Sequence, residues 1–141
     1  LAPPGLSLRF CSLLFIQIHH FKSINDTHGH QCGDHILKSV AGTIQSGLRR
    51  VDILARFGGE EFCAILPETE FEPSMMLGDR IRAMVESAVY PFEGKEIRVT
   101  VSVGVPKAPA AGDTPDSFLK NADQALYEAK RFGRNAVVAY P

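Results

Sequence analysis

Apolar and polar residues follow one another along this chain in blocks, and the period of each block predicts an element. The run CSLLFIQI, Cys11 to Ile18, is short and almost wholly apolar, which predicts a buried strand. HHFKSINDTHGHQCG follows. It is polar and rich in turn formers and predicts a loop, with Phe21 and Ile24 as its apolar anchors. From Asp34, a good N-cap, apolar residues recur at Ile36, Leu37, Val40, Ala41, Ile44 and Leu48, one face of a helix. DILARF and EFCAIL then flank GGE, the pattern of a β-hairpin whose glycines supply positive φ. Pro73 opens a second helix with Leu77, Ile81, Met84, Val85 and Ala88 on its inner face. IRVTVSVGV, Ile97 to Val105, alternates and is rich in β-branched residues, so it predicts a strand. Beyond the loop KAPAAGDT, Thr114 and Pro115 start a third helix. Its Leu119, Ala122, Leu126 and Ala129 share a face, Gly133 stops it, and AVVAY closes the chain as a strand.

The order β-α-β-β-α-β-α-β predicts an α+β sandwich, a mostly antiparallel central sheet flanked by helices and related to the ferredoxin-like plan. In such a fold the loop after the first strand and the tip of the hairpin lie side by side. Loops held in that way on a rigid sheet are where chemistry usually sits.

Composition narrows the reading only a little. A chain of 141 residues fits one domain with a real core. A net charge of -1 gives no electrostatic case for a nucleic-acid polymer or an anionic membrane as partner, while a small phosphorylated ligand needs only a local patch. Cys11, Cys32 and Cys63 are odd in number and widely spaced, which reads as buried thiols in a reducing compartment. The stretch Leu13 to Ile18 is too short to span a bilayer, and LAPPGLSLRF lacks the apolar core of a signal peptide. A cytoplasmic domain is expected.

Charge at the hairpin tip calls for a partner. Turns need glycine, but they do not need the adjacent carboxylates of Glu60 and Glu61. Neighbouring strand residues point to opposite faces, so one of the two faces the site. Hard oxygens on a tight turn suit Mg²⁺, although a generic acidic pair is more often a solvated turn. Lys130 and Arg134 share the end of the third helix and could clamp a polyphosphate, or simply complement the helix dipole. Asn25 and Asp34 offer polar edges for base and ribose, with capping the default for Asp34. Five histidines between His19 and His35 raise zinc as a minority reading, but no H-E-x-x-H or paired-cysteine spacing accompanies them.

Taken together, FKSINDTHGHQCGD, ARFGGEEF, VTVSVGV and ADQALYEAKRFGRN resemble, in order and spacing, the successive motifs of GGDEF domains, the diguanylate cyclases of bacterial signalling, in the GGEEF form. The resemblance runs from about Leu13 to Val138 and implies the nucleotidyl-cyclase palm-like GGDEF fold. It also implies that residues 1–141 are a single domain excised from a longer signalling protein under an upstream sensor or regulatory domain. The family's L-T-x-L and N-R-R segment is absent, so the N-terminal side reads as trimmed.

In this family two domains form a homodimer face to face, each holding GTP. Each ribose 3′-hydroxyl attacks the other α-phosphate, giving cyclic di-GMP and pyrophosphate with Mg²⁺ or Mn²⁺ as cofactor. By similarity Glu60 and the Ile18 carbonyl would hold the metal, and Glu61 would lie near the reacting hydroxyl. Asn25 and Asp34 would read guanine and ribose. Phe21 and Lys22, through their backbone, with Lys130 and Arg134, would hold the phosphates, and Gly58 and Gly59 would let the nucleotide lie against the hairpin. Arg49-x-x-Asp52 resembles the inhibitory product site, with Arg80 as an extra contact; the same spacing equally makes a local ion pair.

One departure bears on activity. The family's D-I-D is Gln17-Ile18-His19 here, so a neutral amide stands where a metal carboxylate is expected. Two readings follow: an active cyclase with an altered metal shell, or a catalytically weakened domain that binds cyclic di-GMP or GTP and signals by interaction.

Overall fold

The computed structural model describes residues 11–56, 58–107, 120, 124, 127–128, 131 and 134–140. A five-stranded sheet in the order β2-β3-β1-β6-β7 forms its frame. Strand β1 (Ser12–Ile18) lies at its centre, paired antiparallel with β3 (Glu61–Leu66) and with β6 (Val101–Pro106). Strand β2 (Ile53–Arg56) completes the hairpin with β3, and β7 (Val137–Tyr140) runs parallel to β6, the one parallel pair among the described residues. Two split β-α-β crossovers interleave, as the ferredoxin-like plan requires.

All seven residues of β1 are buried, because both faces of this central strand are covered. Leu14, Ile16 and Ile18 enter the main core with Ile36, Val40 and Ile44 of α2 (His30–Gly47) and Ile81 and Val85 of α3 (Phe71–Ser87). Leu13 and Phe15 point to the other face, beside Cys63. A β-carbon at Gly78 of α3 would stand 3.1 Å from Val137 and 3.2 Å from Val103, so this glycine lets the helix lie close on the sheet. Alternation therefore sends Gln17 to the face opposite the main core.

Several expectations need correction. The supposed loop HHFKSINDTHGHQCG holds a helix, α1 (Phe21–His28), and the first turn of α2. Left-handed His20 (φ 64) introduces α1, and Gly29 (φ 92) separates the two helices. Polar residues dominate because α1 inserts only Ile24 fully and Phe21 partly into the core. Asp34 is thus inside α2 rather than at its N-cap, which is Gly29. Helix α3 begins at Phe71, with Pro73 in a first turn that tolerates proline. The Ile97–Val105 strand is two elements. Lys95–Ile97 (β5) pairs with Tyr90–Phe92 (β4) in a small hairpin, whose Glu93 (φ 47) and Gly94 (φ 79) supply the positive φ pair of a tight turn. Its three-residue arms are too short for alternation to register.

Lys120, Gln124, Tyr127, Glu128 and Arg131 are helical, in line with the third expected helix. Thr114, Pro115, Leu119, Ala122, Leu126, Ala129 and Gly133 lie outside the described residues. Among the described residues no helix is long and apolar enough to cross a membrane. The three cysteines are buried and unpaired in disulfides, and burial pushes the Cys63 thiol up to about 11.

Candidate functional site

The C-terminal end of β1 gathers the polar side chains. Gln17 sits in register between Glu61 on β3 and Ser102 on β6. The Ile18 backbone N–H donates to the Glu60 carbonyl at 3.0 Å, and Gln17 Nε2 donates to Glu60 Oε1 at 3.3 Å. Backbone and side chain together therefore anchor Glu60 on β1. Gln17 is buried, and its Oε1 has no hydrogen-bond partner among the described residues. Buried polar atoms are nearly always paired, so this oxygen is where a missing partner is expected.

The hairpin tip is held by a residue that sequence reasoning missed. Arg56 Nε donates to the Gly58 carbonyl at 3.1 Å and its Nη2 to the Gly59 carbonyl at 2.8 Å. Neither glycine has a φ in the left-handed region, which corrects that expectation. A β-carbon at Gly59 would meet nothing within 4 Å, and at Gly58 nothing nearer than 3.9 Å. Neither backbone conformation nor internal packing demands glycine here. What the two glycines leave is open space against the hairpin.

Beyond β1, Phe21 and Lys22 begin α1, where backbone N–H groups lack carbonyl partners within the helix. A helix start of this kind favours anions. Asn25, one turn on, has a buried Oδ1 without a partner among the described residues. A β-carbon at Gly33 would stand 1.8 Å from that oxygen and 3.2 Å from the Phe21 ring. Gly33 is therefore the floor on which Asn25 and Phe21 rest, a role hidden in the sequence because this segment reads as a loop. Asp34 follows it, exposed on α2 and released from the capping role expected of it.

His19 is almost wholly buried, at 1% exposed. Its Nε2 bonds Ser102 Oγ, and its Nδ1 accepts from Arg134 Nη1 at 2.9 Å. Both ring nitrogens are thus engaged, which leaves neither for a zinc ion. Among the described residues no three His, Cys, Asp or Glu side chains gather as a metal site. Arg134 is brought to the end of β1 from 115 positions away. Lys130, its expected companion, lies outside the described residues.

Arg49, Asp52 and Arg80 are not part of this cluster. Arg49 binds Asp52 at 2.8 Å and reaches the Pro67 carbonyl and Thr69 Oγ1, at the far end of β3. Hydrogen bonding to Asp52 raises the Arg49 pKa further above its usual value. The Asp52 side chain is fully buried, whereas that of Arg49 is 51% exposed. Arg80 donates to the Gly47 carbonyl at 2.7 Å, closing the end of α2.

Residues 8–136 match the family described as diguanylate cyclase, GGDEF domain. The response regulator PleD of Caulobacter vibrioides is 43% identical over 129 residues, covering 90% of this chain and 28% of PleD. Diguanylate cyclase A of Treponema denticola is 44% identical over 126 residues, covering 89% of this chain and 34% of that protein. The chain therefore spans about a third or less of these relatives' length. In structure it is similar to the GGDEF domain of DgcB from Caulobacter crescentus, solved in complex with c-di-GMP. The TM-score is 0.86 at 36% identity, over 92% of this chain and 77% of that one.

Proposed function

The chain belongs to the GGDEF family of diguanylate cyclase domains, and from that premise we propose that it condenses two GTP into cyclic di-GMP and two pyrophosphates. Two copies meet face to face. Each ribose 3′-hydroxyl attacks the α-phosphate of the other nucleotide, forming a P–O bond as pyrophosphate leaves with the electrons of the bond that breaks. In such a transfer the protein contributes positioning and charge neutralisation.

The roles divide by element. The N–H groups of Phe21 and Lys22 at the start of α1, with Lys130 and Arg134, hold the phosphates. Asn25 and Asp34 read guanine and ribose, and the nucleotide lies in the space left by Gly58 and Gly59. Glu61 stands near the attacking hydroxyl. The donors at the end of β1 are hard oxygens: the Glu60 carboxylate, the Ile18 carbonyl and Gln17 Oε1, whose lack of a partner among the described residues fits a cation. A Mg²⁺ or Mn²⁺ ion bound there would supply charge stabilisation to the reacting phosphate. The observation that carries the proposal is that the end of β1, just before α1, holds Glu60 through Gln17 and Arg134 through His19.

One observation favours a second reading, a weakened domain that binds GTP or cyclic di-GMP for signalling. The Gln17 amide already donates to Glu60, so one carboxylate fewer faces the cation and the remaining one is engaged. Incubation with GTP and either Mg²⁺ or Mn²⁺, followed by chromatography, separates the two readings. Cyclic di-GMP is expected; no product with either ion, while cyclic di-GMP still binds, selects the second. Product inhibition is assigned to Arg49 and Asp52, with Arg80 nearby on α3. Arg49→Lys keeps the charge beside buried Asp52 but loses the planar fork. It is expected to weaken inhibition; unchanged inhibition moves the product elsewhere. An upstream sensor domain completes the proposed assembly.

A further inference from the structure

We propose that His19 is a positioning residue that holds Arg134 in place through its Nε2-protonated tautomer, whose proton Ser102 accepts. The inference rests on the phosphate-binding role proposed for Arg134. A guanidinium is a donor only, so the His19 nitrogen that receives Arg134 Nη1 at 2.9 Å, Nδ1, must carry a lone pair. The proton of the neutral ring is then on Nε2, where Ser102 Oγ accepts it. Ser102 and His19 are buried, at 0% and 1% exposed, so the bond between them is shielded from solvent, while the bond to Arg134 is half-buried. The chain Ser102–His19–Arg134 thus runs from the middle of the sheet to an exposed cation.

The backbone at this point is held separately. Arg134 (φ 64) and Asn135 (φ 44) are both left-handed, a conformation that needs support in a residue with a side chain. Asn135 supplies it, accepting from Arg82 Nη1 at 3.2 Å and donating to Glu86, both on α3. The Ala136 carbonyl accepts from Val103 N–H at 2.8 Å. Backbone anchors fix where the arginine starts, but a long side chain retains rotamer freedom, and the bond to His19 removes it. A neutral acceptor also has a consequence that an acid at this position would not. It orients the guanidinium without cancelling its charge, leaving Arg134 a full cation with four further N–H donors.

The test measures binding of 3′-deoxy-GTP, which lacks the attacking hydroxyl, and of guanosine, which lacks phosphate, by calorimetry. His19→Phe is expected to weaken 3′-deoxy-GTP about tenfold while guanosine stays within about twofold. His19→Asn, whose amide oxygen offers an acceptor near the place of Nδ1, is expected to recover most of the loss. The double variant of His19→Phe with Arg134→Ala should be no weaker than Arg134→Ala alone, because both remove one arrangement. Wild-type affinity in His19→Phe, or fully additive losses, overturns the positioning role while leaving Arg134 as the phosphate cation. Arg134→Ala that binds 3′-deoxy-GTP as well as wild type overturns the phosphate role itself, and the inference with it. Should His19→Phe fail to fold, two readouts remain. Nitrogen NMR of isotope-labelled histidine in the unaltered protein is expected to show His19 protonated on Nε2, and a proton on Nδ1 overturns the proposal. Ser102→Ala should weaken 3′-deoxy-GTP severalfold, because the buried Nε2–H then loses its acceptor and the ring its anchor, and unchanged affinity counts against it.

Discussion

Both ends of β1 bury polar side chains, and they treat them differently. At its start, Ser12 Oγ donates to the Thr69 carbonyl at 3.0 Å and accepts from Ser74 Oγ at 3.1 Å. Nearby, Arg49 crosses from Asp52 to Thr69 and Pro67. Every group there has a partner within the protein. At its end, Gln17 Oε1 has none among the described residues, and neither has Asn25 Oδ1 on the helix that follows. Leaving a buried polar atom unpaired costs on the order of 1–3 kcal/mol, which a fold retains where something outside it completes the set. The satisfied end holds the fold together, and the unsatisfied end is the proposed ligand site.

Four substitutions test that contrast. Glu60→Gln removes the one carboxylate anchored to the end of β1, and cyclic di-GMP formation is expected to fall about a hundredfold to a thousandfold, with an unchanged melting temperature. A matching loss of stability would make Glu60 a structural residue and erase the contrast. Gln17→Asp restores an acid beside Glu60 and should raise turnover about tenfold with Mg²⁺. It should also lower stability in metal-free buffer, where two carboxylates then face each other; no rise in turnover would remove the amide as the cause of any weakness.

Gly33→Ala sharpens the contrast at one atom. Its methyl group would displace the Asn25 side chain, so preference for GTP over ATP is expected to fall about tenfold, while alanine favours the helix. Retained base preference in a competition assay would mean that Asn25 reads nothing. At the other end, Ser12→Ala should cost about 1 kcal/mol of stability in urea titration and leave nucleotide binding alone. A small pH effect accompanies these. The Cys63 thiol, pushed up to about 11 by burial, is protonated more firmly folded than unfolded. Its contribution is complete below the usual thiol range and is lost as pH rises toward that value.

Much of the candidate site is legible in the sequence. The acids at the glycine hairpin, the amide in place of an acid at Gln17, and the cationic Arg134 are visible as residue types at informative spacings. Helix α1 was hidden because a short helix that buries one residue fully leaves almost no apolar period. The β4–β5 hairpin was hidden for a similar reason, since two three-residue arms carry too few positions to alternate. Gly33 looked like part of a loop until its helix was known, and only then did its missing side chain become the place where Asn25 packs.

The sequence by itself determined the family, the antiparallel sheet and the identity of the chemically distinctive residues, because hydrophobic period and motif spacing are local properties. Which of those residues act on each other was decided by tertiary structure. His19 and Arg134 are 115 positions apart, and no local pattern records that an imidazole lone pair meets a guanidinium. Nor does any pattern tell a paired Ser12 from an unpaired Gln17 Oε1, since both are polar residues in one buried strand. Hydrogen-bond satisfaction depends on what the fold brings within about 3 Å of an atom, and that is settled only when distant segments pack.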